Sequence, residues 1–301
     1  MSKKYKQLED HIINTFNRDK RFNINNKVYS VIFATKPRPS TGECKTDVYV
    51  LFKEEETEDY YELKISVKRR SNNEFQENKV TAGKAESYFG LDWTNIIEQA
   101  ASSLKNKFED RPLIYQSGKH PTKPNSITLG WKLEITNKER ALSVRAPLTD
   151  LEIRNYVFKG TNQVDSKKNA YINGEIVYNS GIAQFLLSTE IEDISSINDI
   201  IMQLQDIDTM ILPNIYLVFT ANNYRTDEDS ADGPRSLAVY INWKCINGRL
   251  TPEFVYNNPL MYTGEGNIKP ILISALNTLG KRNPKDFDIN QDVCSPKIVL
   301  P

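Results

Sequence analysis

Two strand signals separated by a charged turn constrain the fold of this chain more than any other feature. Residues 47–52 (DVYVLF) are rich in valine and aromatic side chains, and residues 60–68 (YYELKISVK) are similarly rich in β-branched and aromatic ones. The seven residues between them, 53–59 (KEEETED), are all polar. Runs of this composition on either side of a polar turn are typical of paired antiparallel strands. The pattern therefore predicts a hairpin or meander in the first quarter of the chain.

The second of these strands has two different faces. Successive side chains on a strand point to opposite sides of the sheet. One side is apolar and suits a core, and it consists of Tyr61, Leu63, Ile65 and Val67. The other side is polar, and it consists of Glu62, Lys64, Ser66 and Lys68. Because Asp47 opens the neighbouring strand, a hairpin is expected to bring it close to Glu62 and Lys64.

Such a group of side chains has a specific chemical use. Two carboxylates, Asp47 and Glu62, can hold Mg²⁺, a hard cation that prefers oxygen ligands. The metal would polarise a phosphoryl oxygen and lower the pKa of a bound water, and Lys64 could orient or deprotonate that water. The residues therefore predict hydrolysis of a phosphodiester. The competing interpretation is a half-exposed strand with its charged side chains turned to solvent.

The order of these residues resembles the PD-(D/E)xK nuclease superfamily, and the strings KTDVYV and ELKISVKRR resemble type II restriction endonucleases. The resemblance covers about residues 5–110, with its specific motifs in residues 45–68. It implies that Asp47 is a metal-binding aspartate, Glu62 the second carboxylate and Lys64 the catalytic lysine. The chain departs from the family pattern in having Thr46, not proline, before the aspartate.

The resemblance allows a second register. Some restriction enzymes of this kind use an SxK triplet and take the second carboxylate from a following helix. Ser66-Val67-Lys68 fits that pattern, which would make Lys68 catalytic and Glu74 or Glu77 the displaced acid. Two further acids are open to either interpretation, as ligands or as solvated surface residues, and they are Glu9 and Glu43.

The rest of the chain predicts a mixed architecture. Helices are expected over 4–18, 81–89, 94–108, 181–187, 194–204 and 268–279, and further strands over 27–33, 127–135, 215–220 and 237–243. With the resemblance, this predicts an α/β, restriction-endonuclease-like fold: a mixed β-sheet flanked by helices, with additional α+β elements in the C-terminal half. We expect a catalytic core over 1–125 and a DNA-recognition and dimerisation region over 126–301, or one continuous domain.

Two groups of residues are candidates for DNA contact. A basic cluster follows the second strand, and it includes Arg69, Arg70 and Lys79, with Lys84 beyond them. A predicted loop over 221–234 offers amide and guanidinium groups that can bond adenine and guanine. Its candidates, with the residue that follows, are Asn222, Asn223, Tyr224, Arg225 and Arg235. Both groups could equally be solvated turns and strand ends.

Composition excludes several other classes. The 301 residues carry 39 basic and 39 acidic side chains, so bulk positive charge does not attract nucleic acid, and local clusters must do so. Three scattered cysteines and two histidines argue against a disulfide framework and a zinc site. No apolar run approaches about 18 residues. We therefore expect a cytoplasmic protein with no membrane partner and no organic cofactor.

The expected function is that of a type II restriction endonuclease. It would make Mg²⁺-dependent, sequence-specific double-strand cuts in DNA as a homodimer, leaving 5′-phosphate and 3′-hydroxyl ends. The alternatives are a DNA repair or junction-resolving nuclease of the same superfamily and a non-catalytic DNA-binding protein with a decayed site.

Overall fold

The computed structural model of the chain describes residues 3–24, 26–57, 59–72 and 74–301. These residues divide into two compact units, each built from two stretches of chain. Unit 1 comprises Met1–Glu74 and Leu148–Pro213, and unit 2 comprises Phe75–Pro147 and Asn214–Pro301. Both units mix helices with curled sheets, so the chain is of the mixed α/β class.

The helices are numbered in chain order. They are α1 (Lys3–Asp19), α2 (Ala82–Phe89), α3 (Trp93–Ser103), α4 (Lys105–Glu109), α5 (Asp150–Glu152), α6 (Asp165–Lys168), α7 (Ile197–Gln203) and α8 (Lys269–Leu279). Two π-helical segments, Ile153–Lys159 and Gly264–Ile268, adjoin α5 and α8. Short 3₁₀ turns cover Gly90–Asp92, Ile191–Asp193, Pro284–Asp286 and Pro296–Ile298.

The strands are numbered in the same way. They are β1 (Arg21–Ile24), β2 (Lys27–Thr35), β3 (Val48–Glu54), β4 (Tyr60–Arg69), β5 (Gln76–Glu77), β6 (Ile114–Tyr115), β7 (Ser126–Thr136), β8 (Ser143–Arg145), β9 (Ala170–Ile172), β10 (Glu175–Val177), β11 (Phe185–Thr189), β12 (Leu204–Asp206), β13 (Tyr216–Arg225), β14 (Ser230–Ala231), β15 (Ser236–Leu237), β16 (Val239–Ile246), β17 (Arg249–Val255), β18 (Tyr262–Thr263) and β19 (Val299–Leu300).

The described residues of unit 1 form a six-stranded sheet in the order β1-β2-β3-β4-β11-β12. The first four strands follow one another antiparallel, whereas β11 runs parallel to β4. A parallel neighbour needs a crossover connection, and here the chain passes through the first stretch of unit 2 and then through α5, α6 and the β9-β10 hairpin before it reaches β11. The sheet is therefore mixed, with β4 paired on both edges.

One face of this sheet carries a hydrophobic core. Helix α1 contributes Leu8, Ile12 and Phe16, whose four-residue spacing places them on one side of the helix. They pack with the alternate residues of β3 and β4 and with α7, and the sheet residues are Val48, Val50, Phe52, Leu63, Ile65 and Val67. The apolar face predicted for β4 is confirmed at Leu63, Ile65 and Val67.

Unit 2 is built around a larger antiparallel arrangement. Its path runs β14-β13-β7-β16-β17, and short strands pair with β7, β13 and β6 at the margins. The long partners β7 and β13 stay in register over Tyr216–Asn222 and shift by one residue at Asn223. Trp131 and Trp243 are buried in this unit.

The structure corrects two predicted elements. The helix expected over 181–187 is wrong: this stretch leads into strand β11, which pairs with β4 over Phe185–Thr189. The loop expected from residue 221 is wrong in its start, since β13 continues to Arg225 and pairs with β7 throughout. In both cases a neighbouring strand supplies hydrogen bonds that the local sequence does not reveal.

The division of the chain differs from a boundary near residue 125. Residues 75–125 belong to unit 2, and residues 148–213 return to unit 1. The return is required by the sheet, because β11 and β12 complete it from the far side of β4. No helix of the described residues is both long and apolar enough to cross a membrane.

Candidate active site at the start of β3

Asp47 lies immediately before β3 and is fixed by the backbone of β4. Its amide donates to the carbonyl of Ile65 at 2.8 Å. Its carboxylate Oδ2 accepts the amide of Val67 at 2.8 Å and the hydroxyl of Ser66 at 3.4 Å. Because β3 begins only at Val48, the carboxylate takes the place of the next strand carbonyl and caps the ladder. The side chain is thereby held at one end of the sheet.

Lys68 is the lysine of β4 that interacts with this carboxylate. Its ammonium is the strongest of the charges that stabilise ionised Asp47. It lies half-buried on the same strand face as Ser66. Among the described residues, no hydrogen bond or ion pair within 4 Å engages its side chain. Lys68 is therefore a cation near Asp47 that no other acid of the described residues engages within 4 Å.

Glu9 brings a second carboxylate to the same place. It lies on α1, within the turn that also holds Leu8, and only 2% of its surface is exposed. The ammonium of Lys36, just after β2, forms an ion pair with its Oε2. The negative charge of Asp47 acts on Glu9 as well. Glu9 is thus a buried acid facing the site, not a solvated surface residue.

The two carboxyl groups share an unusual electrostatic state. Burial raises the pKa of Asp47 above its ordinary value of 3.8, against the opposing influence of Lys68, the Val67 amide and Lys36. Burial also raises the pKa of Glu9, and the charge of Asp47 raises it further. Both groups therefore hold their protons more tightly than free carboxylates, which is typical of acids arranged to receive a cation or to exchange protons.

A cleft of about 350 Å³ opens beside Asp47. The segment between β2 and β3 lines it, and the lining residues are Lys36, Pro37, Arg38, Pro39, Gly42, Glu43, Cys44, Thr46 and Asp47. Glu43 is exposed at this cleft and adds negative charge near Asp47. The segment between β2 and β3 thus forms the wall of a cavity that ends at the candidate carboxylate.

The structure does not bring Glu62 and Asp47 together. Strands β3 and β4 pair with Val48 opposite Ile65 and Leu51 opposite Glu62. Glu62 therefore lies four residues along β4 from Ser66, roughly 13 Å at the rise of a strand. Its carboxylate accepts the hydroxyl of Tyr49 at 2.5 Å and lies 3.4 Å from the ammonium of Lys64.

Lys64 belongs to this separate group. It is buried, with 8% of its surface exposed, and sits directly opposite Tyr49 in the register of the two strands. Burial, followed by the hydrogen bond to Glu62, raises the pKa of Tyr49. The trio of Tyr49, Glu62 and Lys64 is consequently a self-contained polar cluster on the sheet.

Most of the predicted basic cluster is engaged with acids. Arg69 forms a two-pronged contact with Glu190 at 2.7 and 2.9 Å, and Arg70 lies 3.2 Å from Asp193. Lys84 bonds Glu77 at 2.6 Å within unit 2, where Lys79 is exposed. Glu77 therefore belongs to a different unit from Asp47, and Glu74 ends the first stretch of unit 1.

The predicted base-reading residues of unit 2 are largely internal. Asn222, Asn223 and Tyr224 are buried on β13, at 0%, 5% and 8% exposure. Asn223 bonds Thr128 and Asp232, and Tyr224 donates to Asp229 at 2.8 Å. Asn222 donates to the carbonyls of Asp232 and Gly233 at 3.3 and 3.4 Å, while its buried Oδ1 has no partner among the described residues. The three side chains therefore lie in the interior of unit 2, and those of Asn223 and Tyr224 exchange water for protein partners.

The two arginines of that region remain at the surface. Arg225 is half-buried and pairs with Asp232 at 2.5 Å and Glu228 at 3.1 Å. Arg235 is half-buried after the turn. Of the predicted set, only these two side chains are placed where an external ligand could reach them.

Sequence reasoning missed Lys36. It is the last residue before Pro37 and follows a predicted strand, so its position at the end of a strand could be predicted. Its pairing with Glu9, 27 residues away in the sequence, could not. The burial of Glu9 had a weak signal, since Glu9 adjoins Leu8 on the apolar side of α1.

The donor set at Asp47 suits a magnesium ion although it is small. No group of three or more histidine, cysteine, aspartate or glutamate side chains that could hold a metal occurs among the described residues. Mg²⁺, however, is commonly bound by one or two carboxylates and keeps several waters. Glu9 is buried and Asp47 is half-buried, both have raised pKa values and each lies near a lysine, so these two carboxylates are the ones that could hold such an ion.

Comparison of the chain with protein-family models, with curated proteins and with solved structures gives no significant match. The candidate site therefore rests on its residues and their geometry.

Proposed function

We propose that this chain is a Mg²⁺-dependent endonuclease that makes site-specific double-strand cuts in DNA, in the manner of type II restriction enzymes. The observation that carries the proposal is the union of Asp47, Ser66 and Lys68 at one end of a mixed sheet, beside the buried carboxylate of Glu9. This is the SxK register of the resemblance described above, with the second acid supplied from α1.

The order of elements in unit 1 supports the same proposal. A helix precedes four antiparallel strands, and a long connection containing helices leads to a strand parallel to the fourth of them. The resemblance to restriction endonucleases leads one to expect a mixed sheet with helices, and this arrangement is compatible with that expectation. It also places the start of β3 and the end of β4 side by side, which is where the carboxylate and the lysine are needed.

Each side chain has a role that its surroundings allow. Asp47 and Glu9 would hold the magnesium ion, which when bound supplies a Lewis acid for the phosphoryl oxygen and an activated water. Lys68 is uncommitted, so its ammonium can orient the attacking water and offset the charge that develops on the phosphoryl group. The Ser66 hydroxyl and the Val67 amide hold the Asp47 carboxylate in place.

The remaining features of the proposal follow from its class. The partner would be double-stranded DNA, the products would carry 5′-phosphate and 3′-hydroxyl ends, and a homodimer would match a palindromic site. Unit 2 would contribute recognition through Arg235, and through Arg225 where DNA phosphates or bases replace its pairing with Asp232 and Glu228.

The test is cleavage of supercoiled plasmid by the purified full-length chain with Mg²⁺, beside Asp47→Asn and Lys68→Met. We expect discrete fragments from the wild type alone, and none in EDTA. Lys64→Met is the matched control, since it removes a lysine from the same strand face but from the separate cluster. Undiminished cleavage by Asp47→Asn would refute the assignment.

A further inference from the structure

The proposed cleavage site needs cations that can meet DNA phosphates, and the predicted cluster does not supply enough of them. Arg69 and Arg70 are paired with Glu190 and Asp193. At the cleft itself, Arg38 is exposed and lines the wall, and Lys167 packs beside Gly42, which lines it too. Among the described residues, neither side chain has an acidic partner within 4 Å.

Arg38 is part of a short three-stranded arrangement at the cleft. Its backbone exchanges two hydrogen bonds with Tyr171 of β9, at 3.0 and 2.9 Å. Tyr171 in turn lies opposite Ile176 of β10. Residues directly opposite each other in antiparallel pairs project to the same face. Arg38, Tyr171 and Ile176 therefore form one row across three backbones.

This row has an exposed apolar part. Tyr171 is 40% exposed and Ile176 is 61% exposed, and Tyr178, two residues beyond Ile176, is 78% exposed. On the same hairpin Ala170 and Ile172 are buried, so they anchor it from the other side. The exposed side chains are thus an outward face of a fixed element.

The hairpin and its flanking helix are tied to the cleft wall at several points. The hydroxyls of Thr41 and Ser166 lie 3.0 Å apart. The amides of Lys45 and Thr46 both donate to the carbonyl of Gly181, at 3.1 and 3.2 Å. Gly181 must be glycine, because a Cβ there would lie 2.0 Å from the carbonyl oxygen of Lys167. The row is therefore held rigidly next to Asp47.

We propose that these five residues, Arg38, Lys167, Tyr171, Ile176 and Tyr178, form a rim patch that docks a DNA duplex beside the cleavage site. The inference rests on the proposed function and names the surface that function requires. Arg38 and Lys167 contact phosphates, and the tyrosine and isoleucine side chains lie against sugars and the groove, where apolar wedges are commonly inserted.

Charge favours DNA over a second copy of the chain as the occupant. The acids on these elements are Glu43, Asp47, Asp165 and Glu175; Asp165 is paired with Lys168 at 2.8 Å, and Asp47 is a proposed metal ligand. Within the described part of the chain the two cations of the patch, Arg38 and Lys167, have no acidic partner within 4 Å, and they adjoin a cleft in which the proposed reaction must place a phosphate. A polyanion satisfies both the cations and the position.

The experiment measures anisotropy of a labelled mixed-sequence duplex of about 30 base pairs with the full-length chain, in EDTA and again with Ca²⁺, over a range of salt concentrations. Arg38→Gln and Lys167→Gln should each weaken binding and reduce the log–log salt slope by about one. The triple variant Tyr171→Ser, Ile176→Ser, Tyr178→Ser should weaken binding about tenfold. Matched controls are Lys20→Gln, at the far end of α1, and Met202→Ser, an exposed apolar residue of α7.

Plasmid cleavage by the same proteins separates the two proposals. Wild-type cleavage combined with rim variants that bind like the controls would overturn the rim patch and leave the nuclease standing. A triple variant that changes oligomeric state in light scattering, with unchanged DNA affinity, would reassign the patch to protein contact and also overturn it. A wild type that neither binds nor cuts DNA would overturn the nuclease as well.

Discussion

The two halves of the polar face of β4 look alike in sequence and differ in what they can do. Glu62 and Lys64 form an ion pair, here called the closed pair, and Glu62 also accepts the hydroxyl of Tyr49. Ser66 and Lys68 lie on the same face, yet Ser66 donates to Asp47 at 3.4 Å and the charge of Lys68 acts on Asp47, while no acid among the described residues lies within 4 Å of the Lys68 ammonium. The difference arises from register, because β3 begins opposite Ile65 and so puts Asp47 at only one end of the face. An acidic residue near a lysine on a strand is thus not by itself a candidate active site. The register of the neighbouring strand decides which of the polar residues lie near Asp47.

The largest expected effect is at Asp47. Asp47→Asn keeps an oxygen for the Val67 amide but removes the charge, and it should lower the rate of Mg²⁺-dependent cleavage by at least about 10³-fold. Single-turnover cleavage of plasmid at saturating protein measures it. Glu62→Gln is the matched variant in the Glu62–Lys64 pair. An equal loss of cleavage rate in the two variants would show that Asp47 and Glu62 do not differ in function.

The two lysines provide the next test. Lys68→Met should lower the rate about 10²- to 10⁴-fold, since it removes the group that orients the water. The rate of Lys64→Met should remain within about threefold of wild type, because Lys64 forms an ion pair with Glu62 at a distance from the proposed reaction. The same kinetic assay compares them, with circular dichroism to verify folding. A reversed order would move the catalytic lysine to the closed pair.

A smaller effect is expected at Glu9. Glu9→Gln should lower the rate by about 10- to 100-fold at neutral pH by weakening metal binding. Because the pKa values of Glu9 and Asp47 are raised, the ionised pair forms at a higher pH than ordinary carboxylates would, so the wild-type rate should climb with pH beyond their usual range. The pH–rate profile of wild type and Glu9→Gln checks this. An acid limb at the ordinary carboxylate pKa would contradict it.

The smallest effect concerns stability without metal. The folded-state pKa of Asp47 lies above its unfolded value of 3.8, so ionisation opposes folding, and the loss of stability develops as pH rises from 3.8 through the raised value. Asp47→Asn should therefore raise the free energy of unfolding at pH 7.5 in EDTA and lose that advantage in acid. Glu62→Gln should lower it by about 1 kcal/mol, because it weakens the Tyr49 bond. Urea unfolding measures the free energy of unfolding of both variants. A lower value for Asp47→Asn than for wild type would contradict the prediction that ionised Asp47 opposes folding.

The alternation of β4 and the position of Asp47 could be predicted because both depend on neighbours in the chain. The polar face of residues 62, 64, 66 and 68 follows from the period of a strand alone. The choice between Lys64 and Lys68 could not be predicted, because it depends on strand register. Register is set here by turn length and by the packing of the apolar face, not by the polar residues themselves.

The remaining misses have the same origin in tertiary contacts. Residues 181–187 are a short apolar run, and such a run does not distinguish a helix from a buried strand until β4 supplies a partner. Asn222 and Asn223 read as a loop because they are polar, whereas Thr128 and Asp232 satisfy Asn223 inside unit 2. The burial of Glu9 could not be predicted because its ion-pair partner, Lys36, follows it by 27 residues in the sequence.

The interleaving of the two units has a consequence for how the protein is made. A ribosome releases Asp47 and Lys68 early, but β11 follows only after unit 2 has received its first stretch, residues 75–147. Until residues 185–189 emerge, the far edge of β4 has unsatisfied backbone groups, and such edges promote aggregation. The nascent chain therefore carries its proposed catalytic residues beside an unpaired strand edge for more than a hundred residues of synthesis. We expect premature termination within that interval to leave an aggregation-prone fragment rather than a small nuclease.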